Sequence, residues 1–259
     1  MNVLITGGLG WLGKALTESV SREHTVQVFD LESVEVSREV VDFSGEIMFG
    51  SITDFEAVRT AVAGQDAIIH AAVASTVVRG LYEPGDAVPF DVNLRGTYNV
   101  LEAARLEEVR RFILIAAAET HVAHPPGTFV DGNTPYAGTG SIYDLTKRLQ
   151  EEICHWFAQL YDLDIIVLRL GDIMDVRLGH AKHSEESWKE SMATDSWVDR
   201  YDIGEACLQA LDIEHSGFDV FHLVGARSAK KRFDVARAED VLGVRFTTAF
   251  DRKPTSERR

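Results

Sequence analysis

Short runs rich in Val, Ile and Leu alternate along the chain with longer segments whose apolar positions recur every three or four residues. The first pattern marks strands buried on both faces, the second marks helices laid against them, and their alternation predicts strand–helix units building a parallel sheet. Strands are expected at Asn2–Thr6, Thr25–Asp30, Glu46–Gly50, Ala67–His70, Arg111–Ala116, Asp164–Arg169 and Asp219–Val224. Helices are expected at Leu12–Arg22, Phe55–Ala63, Val92–Leu106, Ser141–Tyr161, Tyr201–Ile213 and Asp234–Leu242. Thr53 and Glu56 have the spacing of a capping box for the second of these helices. The segments Ala72–Asp91, Asp172–Asp199 and the proline- and glycine-rich His121–Gly140 show no regular period. Each follows a strand, so all three should gather at the C-terminal edge of the sheet, where open α/β proteins bind ligands. The fold class read from this pattern is α/β, a doubly wound parallel sheet over residues 1–170 with a small, interwoven C-terminal substrate-binding lobe over 171–259.

Charge and composition narrow the partners. A formal charge of −15 opposes binding to nucleic acid or to anionic lipid. The longest apolar run, Phe112–Ala118, is far too short to span a bilayer. The start of the chain lacks the basic flank and cleavage site of a secretory signal. Cys154 and Cys207 both lie in helix-periodic segments, where reduced buried thiols are the rule, so a cytoplasmic protein is expected.

The first strand runs straight into Thr6-Gly7-Gly8-Leu9-Gly10-Trp11-Leu12-Gly13. In such a turn Gly7 permits the reversal, Gly10 lets backbone approach a pyrophosphate, and Gly13 lets the helix pack on the strand with its N-terminus toward the phosphates. Asp30 closes the next strand, 23 residues after Gly7, where a carboxylate accepts from both adenosine ribose hydroxyls and repels a 2′-phosphate. Together these features predict a Rossmann-type dinucleotide site specific for NAD.

With Ile69-His70-Ala71-Ala72, Asn93-x-x-Gly96-Thr97-x-Asn99 and Tyr143-x-x-x-Lys147 added, the chain resembles the extended branch of the short-chain dehydrogenase/reductase superfamily, the NAD-dependent epimerase/dehydratase family, and within it the small uronate and sugar dehydrogenases. The resemblance implies that Gly7, Gly10, Trp11, Leu12, Asp30, Ser51, Ile52, His70, Ala71, Ala72 and Asn93 line the cofactor site. Ser51 stands where relatives usually place an aspartate against adenine. Asn93 and His70 also have framework readings, the histidine as a satisfied group within an apolar run.

Tyr143 and Lys147 are one helical turn apart, so the ammonium can stabilise a phenolate and make the tyrosine a general acid/base. The resemblance adds that Lys147 holds the nicotinamide ribose, and that a serine or threonine after the fifth strand donates to the reacting oxygen. Here Ala117 occupies that place, followed by Ala118. Thr120, Thr139, Ser141 or a water could replace the hydroxyl. Ala117, Ala118 and Asp172 are the expected substrate contacts, with Arg79, Arg177, Lys182 and Lys189 as cations for an acidic sugar. His180, His183, Glu185 and Glu186 form no closed four-ligand pattern, and no metal is expected.

On the helix Ser141–Tyr161, Tyr143, Lys147, Cys154, Phe157 and Tyr161 share one stripe, while Ile142, Leu145, Leu149, Ile153, Trp156 and Leu160 form another. The second stripe meets either a partner chain, giving a homodimer, or the chain's own helix Val92–Leu106. Three functions are consistent with the residues: an NAD-dependent dehydrogenase of a sugar, polyol or sugar acid, an epimerase or dehydratase that recycles bound NAD, and a non-catalytic NAD-binding protein.

Overall fold

The computed structural model describes residues 1–32, 45–74, 87–181, 196–214 and 217–247. Seven parallel strands form the main sheet: β1 (Asn2–Thr6), β2 (Thr25–Asp30), β3 (Glu46–Phe49), β4 (Ala67–His70), β5 (Arg111–Ala117), β6 (Asp164–Leu170) and β10 (Phe218–Leu223). Their order is β10-β6-β5-β4-β1-β2-β3. The chain winds outward from β1 through β2 to β3, then crosses back and builds outward again from β4. The crevice between β1 and β4 is therefore the switch point at which such sheets accept ligands.

Every predicted strand of this sheet is present, with ends displaced by about a residue. The buried runs hide a period of two that sorts side chains between the faces. Val3, Ile5, Ile113 and Ile115 enter one core with helices α1 (Trp11–Val20) and α5 (Arg200–Asp212). Leu4, Phe112 and Leu114 enter the other with α2 (Phe55–Val62), α3 (Gly96–Leu106) and α4 (Ile142–Leu160). Helices α1 and α5 touch backbone to side chain: a Cβ on Gly204 would lie 2.3 Å from Ser19 Oγ and 3.0 Å from Ala15 O. A glycine is the residue this approach allows.

Three local expectations are corrected. Helix α2 is capped by Asp54, whose carboxylate accepts from the amides of Glu56 and Ala57 at 3.1 and 3.3 Å. Thr53 instead shares a hydroxyl contact of 2.8 Å with Ser51. The helix begins one residue later than the capping-box spacing supposed, so the cap moves with it. The predicted helix Val92–Leu106 opens as a π-helical turn, Phe90–Arg95, before α3.

The segment Asp172–Asp199 is not wholly irregular. It contains β7 (Asp172–Asp175), β8 (His180–Ala181) and β9 (Trp197–Asp199), with β7 antiparallel to β8 and parallel to β9. Strands this short carry no readable period. The small sheet shares a core containing Ala118, Met174, Trp197, Val224 and Phe233 with a 3₁₀ turn at Arg227–Lys231 and helix α6 (Val235–Val241). Among the described residues, no helix is long and apolar enough to cross a membrane.

Candidate functional site

The turn after β1 is shaped by what its glycines exclude. Gly7 has φ +74°, and a Cβ there would lie 2.7 Å from Ala72 N. A Cβ on Gly13 would lie 2.0 Å from Gly7 O, so α1 could not pack against the strand end. At Gly10 the one atom that such a carbon would meet within 4 Å is Gly7 O, at 3.1 Å, which leaves the outer side of that residue clear for an approaching group. Trp11 and Leu12 follow, half-buried in the first turn of α1. Asp30 Oδ2 accepts from Leu9 N at 2.9 Å and Oδ1 from Leu31 N at 2.8 Å. Burial pushes this carboxyl upward, against the opposing pull of the Leu31, Leu9 and Gly10 amides. A pyrophosphate cradle with a carboxylate beside it is the arrangement NAD requires, and the residues present fit that cofactor.

Farther along the crevice the predicted cofactor residues divide into lining and framework. Ala71 and Ala72 are half-buried, and Ala71 N donates to Thr6 O at 3.1 Å. His70 lies deeper. Its Nδ1 pairs with Thr6 Oγ1 at 2.7 Å and its Nε2 with Thr97 Oγ1 at 3.0 Å, which leaves neither ring nitrogen for a cofactor. Burial and Lys147 push its pKa down to about 3, so the ring is neutral. Asn93 is likewise enclosed: its Oδ1 accepts from Ala74 N at 2.9 Å and its Nδ2 donates to Thr146 Oγ1 at 3.0 Å. These contacts accord with the framework reading of both residues. Ser51 accepts from Thr53 N at 3.2 Å, and buried Ile52 fixes α3 through Asn99 Nδ2, which donates to Ile52 O at 2.9 Å.

The residues expected to carry the chemistry lie where β5 and α4 meet. Ser141 Oγ caps α4 by accepting from Asp144 N at 3.0 Å, setting the helix in register with the sheet edge. Tyr143 is half-buried in the first turn. Lys147, one turn on, is buried and donates from Nζ to Ile115 O at 2.9 Å. Burial lowers its pKa to about 8, with Glu151 and Cys154 acting in the opposite direction. Glu151 is itself held by Arg169 at 2.8 Å in a pair shielded from solvent.

Ala117 ends β5 opposite Leu170 in β6, so Ala118 and Asp172 leave the sheet at the same edge, beside the start of α4. Asp172 is exposed and accepts from Ser196 Oγ at 2.5 Å. Of the hydroxyls considered as substitutes for the missing one, that of Thr120 is fully buried and donates to Ala117 O at 2.7 Å. Thr139 Oγ1 donates to Asp144 Oδ2, and Ser141 Oγ serves the cap. Glu119, which no motif marks in the sequence, also lies at this edge, just past β5. Burial, Asp144 and Asp172 raise its pKa.

Arg177 does not serve this edge. It pairs with Glu18 at 3.1 Å, and its guanidinium lies 3.4 Å from the Tyr201 ring centroid. Arg79, Lys182, Lys189, His183, Glu185, Glu186 and the side chain of His180 lie outside the described residues. A cavity of about 470 Å³ lies elsewhere, between α4 and β10. Its arginines, Arg148, Arg169 and Arg237, are already paired with Glu152, Glu151 and Asp219.

Comparison with known proteins agrees with this geometry. The model of the NAD dependent epimerase/dehydratase family matches residues 3–221. A uronate dehydrogenase of Pseudomonas putida is 28% identical over 169 residues, covering 65% of this chain and 60% of that protein. A dTDP-glucose 4,6-dehydratase of Streptomyces niveus is 29% identical over 187 residues, covering 65% of this chain and 53% of that protein. The chain thus matches a little over half the length of these relatives. Among solved structures, a short-chain dehydrogenase/reductase superfamily protein from Agrobacterium tumefaciens with bound NAD superposes with a TM-score of 0.79 at 21% identity, over 98% of this chain and 95% of that one.

Proposed function

The chain belongs to the NAD dependent epimerase/dehydratase family, and from that premise we propose that it is an oxidoreductase moving hydride between nicotinamide and a hydroxyl or carbonyl of a sugar, polyol or sugar acid. The observation that carries this reading is Lys147, buried one turn behind Tyr143 and bound to the Ile115 carbonyl of β5. When bound, NAD supplies the hydride acceptor. Tyr143, held as a phenolate that the Lys147 ammonium stabilises, takes the proton of the reacting hydroxyl and becomes the neutral phenol. Gly7, Gly10, Trp11, Leu12, Asp30, Ala71 and Ala72 hold and orient the cofactor, while Ala117, Ala118 and Asp172 border the sugar. The small sheet and α6 form the substrate lobe.

A screen of aldoses, polyols and uronic acids for NADH formation tests the reading, and an absence of NADH with every class would overturn it. A second reading, an epimerase or dehydratase that keeps its NAD, is favoured by the dehydratase relative. Sugar conversion without NADH release would select it.

Two further features of the reading concern assembly and compartment. On α4, Leu145, Trp156 and Leu160 are 43%, 49% and 57% exposed, and the neighbouring α3 leaves them uncovered while exposing its own Tyr98 and Leu106. This face suits a symmetric dimer through α3 and α4. Sedimentation should then find dimers, and charged replacements of Leu149 and Trp156 should yield monomers that still bind NAD. Cys154 and Cys207 are buried free thiols, which suits the reducing cytoplasm.

A further inference from the structure

Arg200 is 1% exposed, although arginine is among the residues least often fully buried. It stands at the junction of β9 and α5. Its Nε pairs with Asp175, the last residue of β7, which is itself fully buried. Its Nη1 donates across to Trp11 O at 2.9 Å, inside the Thr6–Gly13 motif and at the first residue of α1. The guanidinium also lies 5.0 Å from the Trp11 ring centroid and 5.2 Å from that of Tyr201. One planar fork thus touches the dinucleotide loop and the small sheet together.

Such a pair is poorly explained as a source of stability, because desolvating two charges offsets most of their attraction and apolar replacements are often as stable. What a guanidinium does well is fix the relative geometry of groups bonded to its different nitrogens. The placement gives that geometry a use. Strand β7 is four residues long, with Asp172 two residues past Leu170, the partner of Ala117, and Asp175 in the clamp. Behind the clamp, the close contact of Gly204 with Ser19 and Ala15 holds α5 rigidly on α1. We propose that Arg200, held against Asp175, is a positioning residue that sets the cofactor loop and the substrate strand relative to each other, so that NAD and sugar bind as a coupled pair. This rests on the oxidoreductase reading above.

Calorimetric titration of NAD into the unmutated protein, Arg200→Met and Arg237→Met tests it, with thermal unfolding of each as the measure of folding. Arg237 is the control, since it is also a paired arginine but faces Asp219, away from the loop. Arg200→Met should weaken NAD by about tenfold, the worth of one charge-assisted hydrogen bond. It should also raise the sugar KM while leaving kcat at saturation within about threefold, because no group that touches the reacting atoms is lost. Arg237→Met should leave NAD binding within about twofold. Unchanged NAD affinity in folded Arg200→Met, or an equal loss in Arg237→Met, would overturn the clamp. Should Arg200→Met not fold, Asp175→Asn keeps the shape and removes the countercharge. A smaller weakening of NAD then supports the clamp, and none overturns it. Failure of the unmutated protein to bind NAD removes the proposed function and the clamp with it, whereas NAD binding indifferent to Arg200 removes the clamp alone.

Discussion

Around the glycine-rich turn the crevice is made of backbone, whereas beyond β5 it is made of side chains. At the first end the constraint is steric and nearly absolute: a Cβ on Gly13 would sit 2.0 Å from a carbonyl oxygen. At the second end the residues are exchangeable in shape, and Ala117 stands where the resemblance implies a hydroxyl. The contrast explains how a chain can keep the glycine-rich turn intact while the edge beyond β5 departs from the pattern that the resemblance implies. Backbone geometry cannot be altered without losing the fold, but one small side chain can replace another at the cost of rate alone.

The strongest attack on this contrast is Gly13→Ala. It should cost on the order of 2–4 kcal/mol of stability and abolish NAD binding, measured by thermal unfolding and calorimetry. A folded variant that bound NAD normally would show that the cradle tolerates side chains after all. Next is Tyr143→Phe, which removes one oxygen and little volume. Turnover should fall by about 10²-fold or more while NAD affinity stays within about twofold; substantial residual activity at saturating NAD would mean the proton is handled elsewhere.

Asp30→Ala should weaken NAD about tenfold and narrow its advantage over NADP, as read by competitive titration. The Lys147 ammonium supplies a milder probe. Its pKa is held at about 8, below the ordinary 10.5, so the cation is present below that pH and lost above it. Oxidation should therefore decline about tenfold between pH 7 and 9, and a flat profile would remove Lys147 from the chemistry. The gentlest test is Ala117→Ser. It should leave activity unchanged or raise it by up to about tenfold, and a loss would mean that substrate occupies the space of the missing hydroxyl.

The same contrast governs what could be read in advance. Six of the seven main strands were legible as buried apolar runs, β3 (Glu46–Phe49) is largely exposed, and the turn was legible because glycines mark forbidden volume. Asp30 was legible because its spacing from Gly7 is set by one strand–helix–strand unit. The small sheet was not: β8 is two residues long, and its register is set by pairing with β7 rather than by any pattern of its own. His70 and Asn93 carry the same motif signal whether they line a cofactor or hold a frame, and the hydroxyls they bond, Thr97 and Thr146, lie far along the chain from them. Arg200 gave no signal, since a charged residue in the first turn of a helix ordinarily faces water.

The strand order has a consequence for how the chain is made. From the N-terminus, β2 and then β3 join one side of β1, and β4, β5, β6 and β10 are laid one after another on the other side. Each strand therefore adds to an edge that already exists, and none has to insert between strands already paired. A chain emerging from the ribosome can thus grow its sheet vectorially, with β6 as the open edge until residues 218–223 arrive to cover it. Nascent chains halted before that point would present an uncapped apolar strand, the form most exposed to edge-to-edge aggregation.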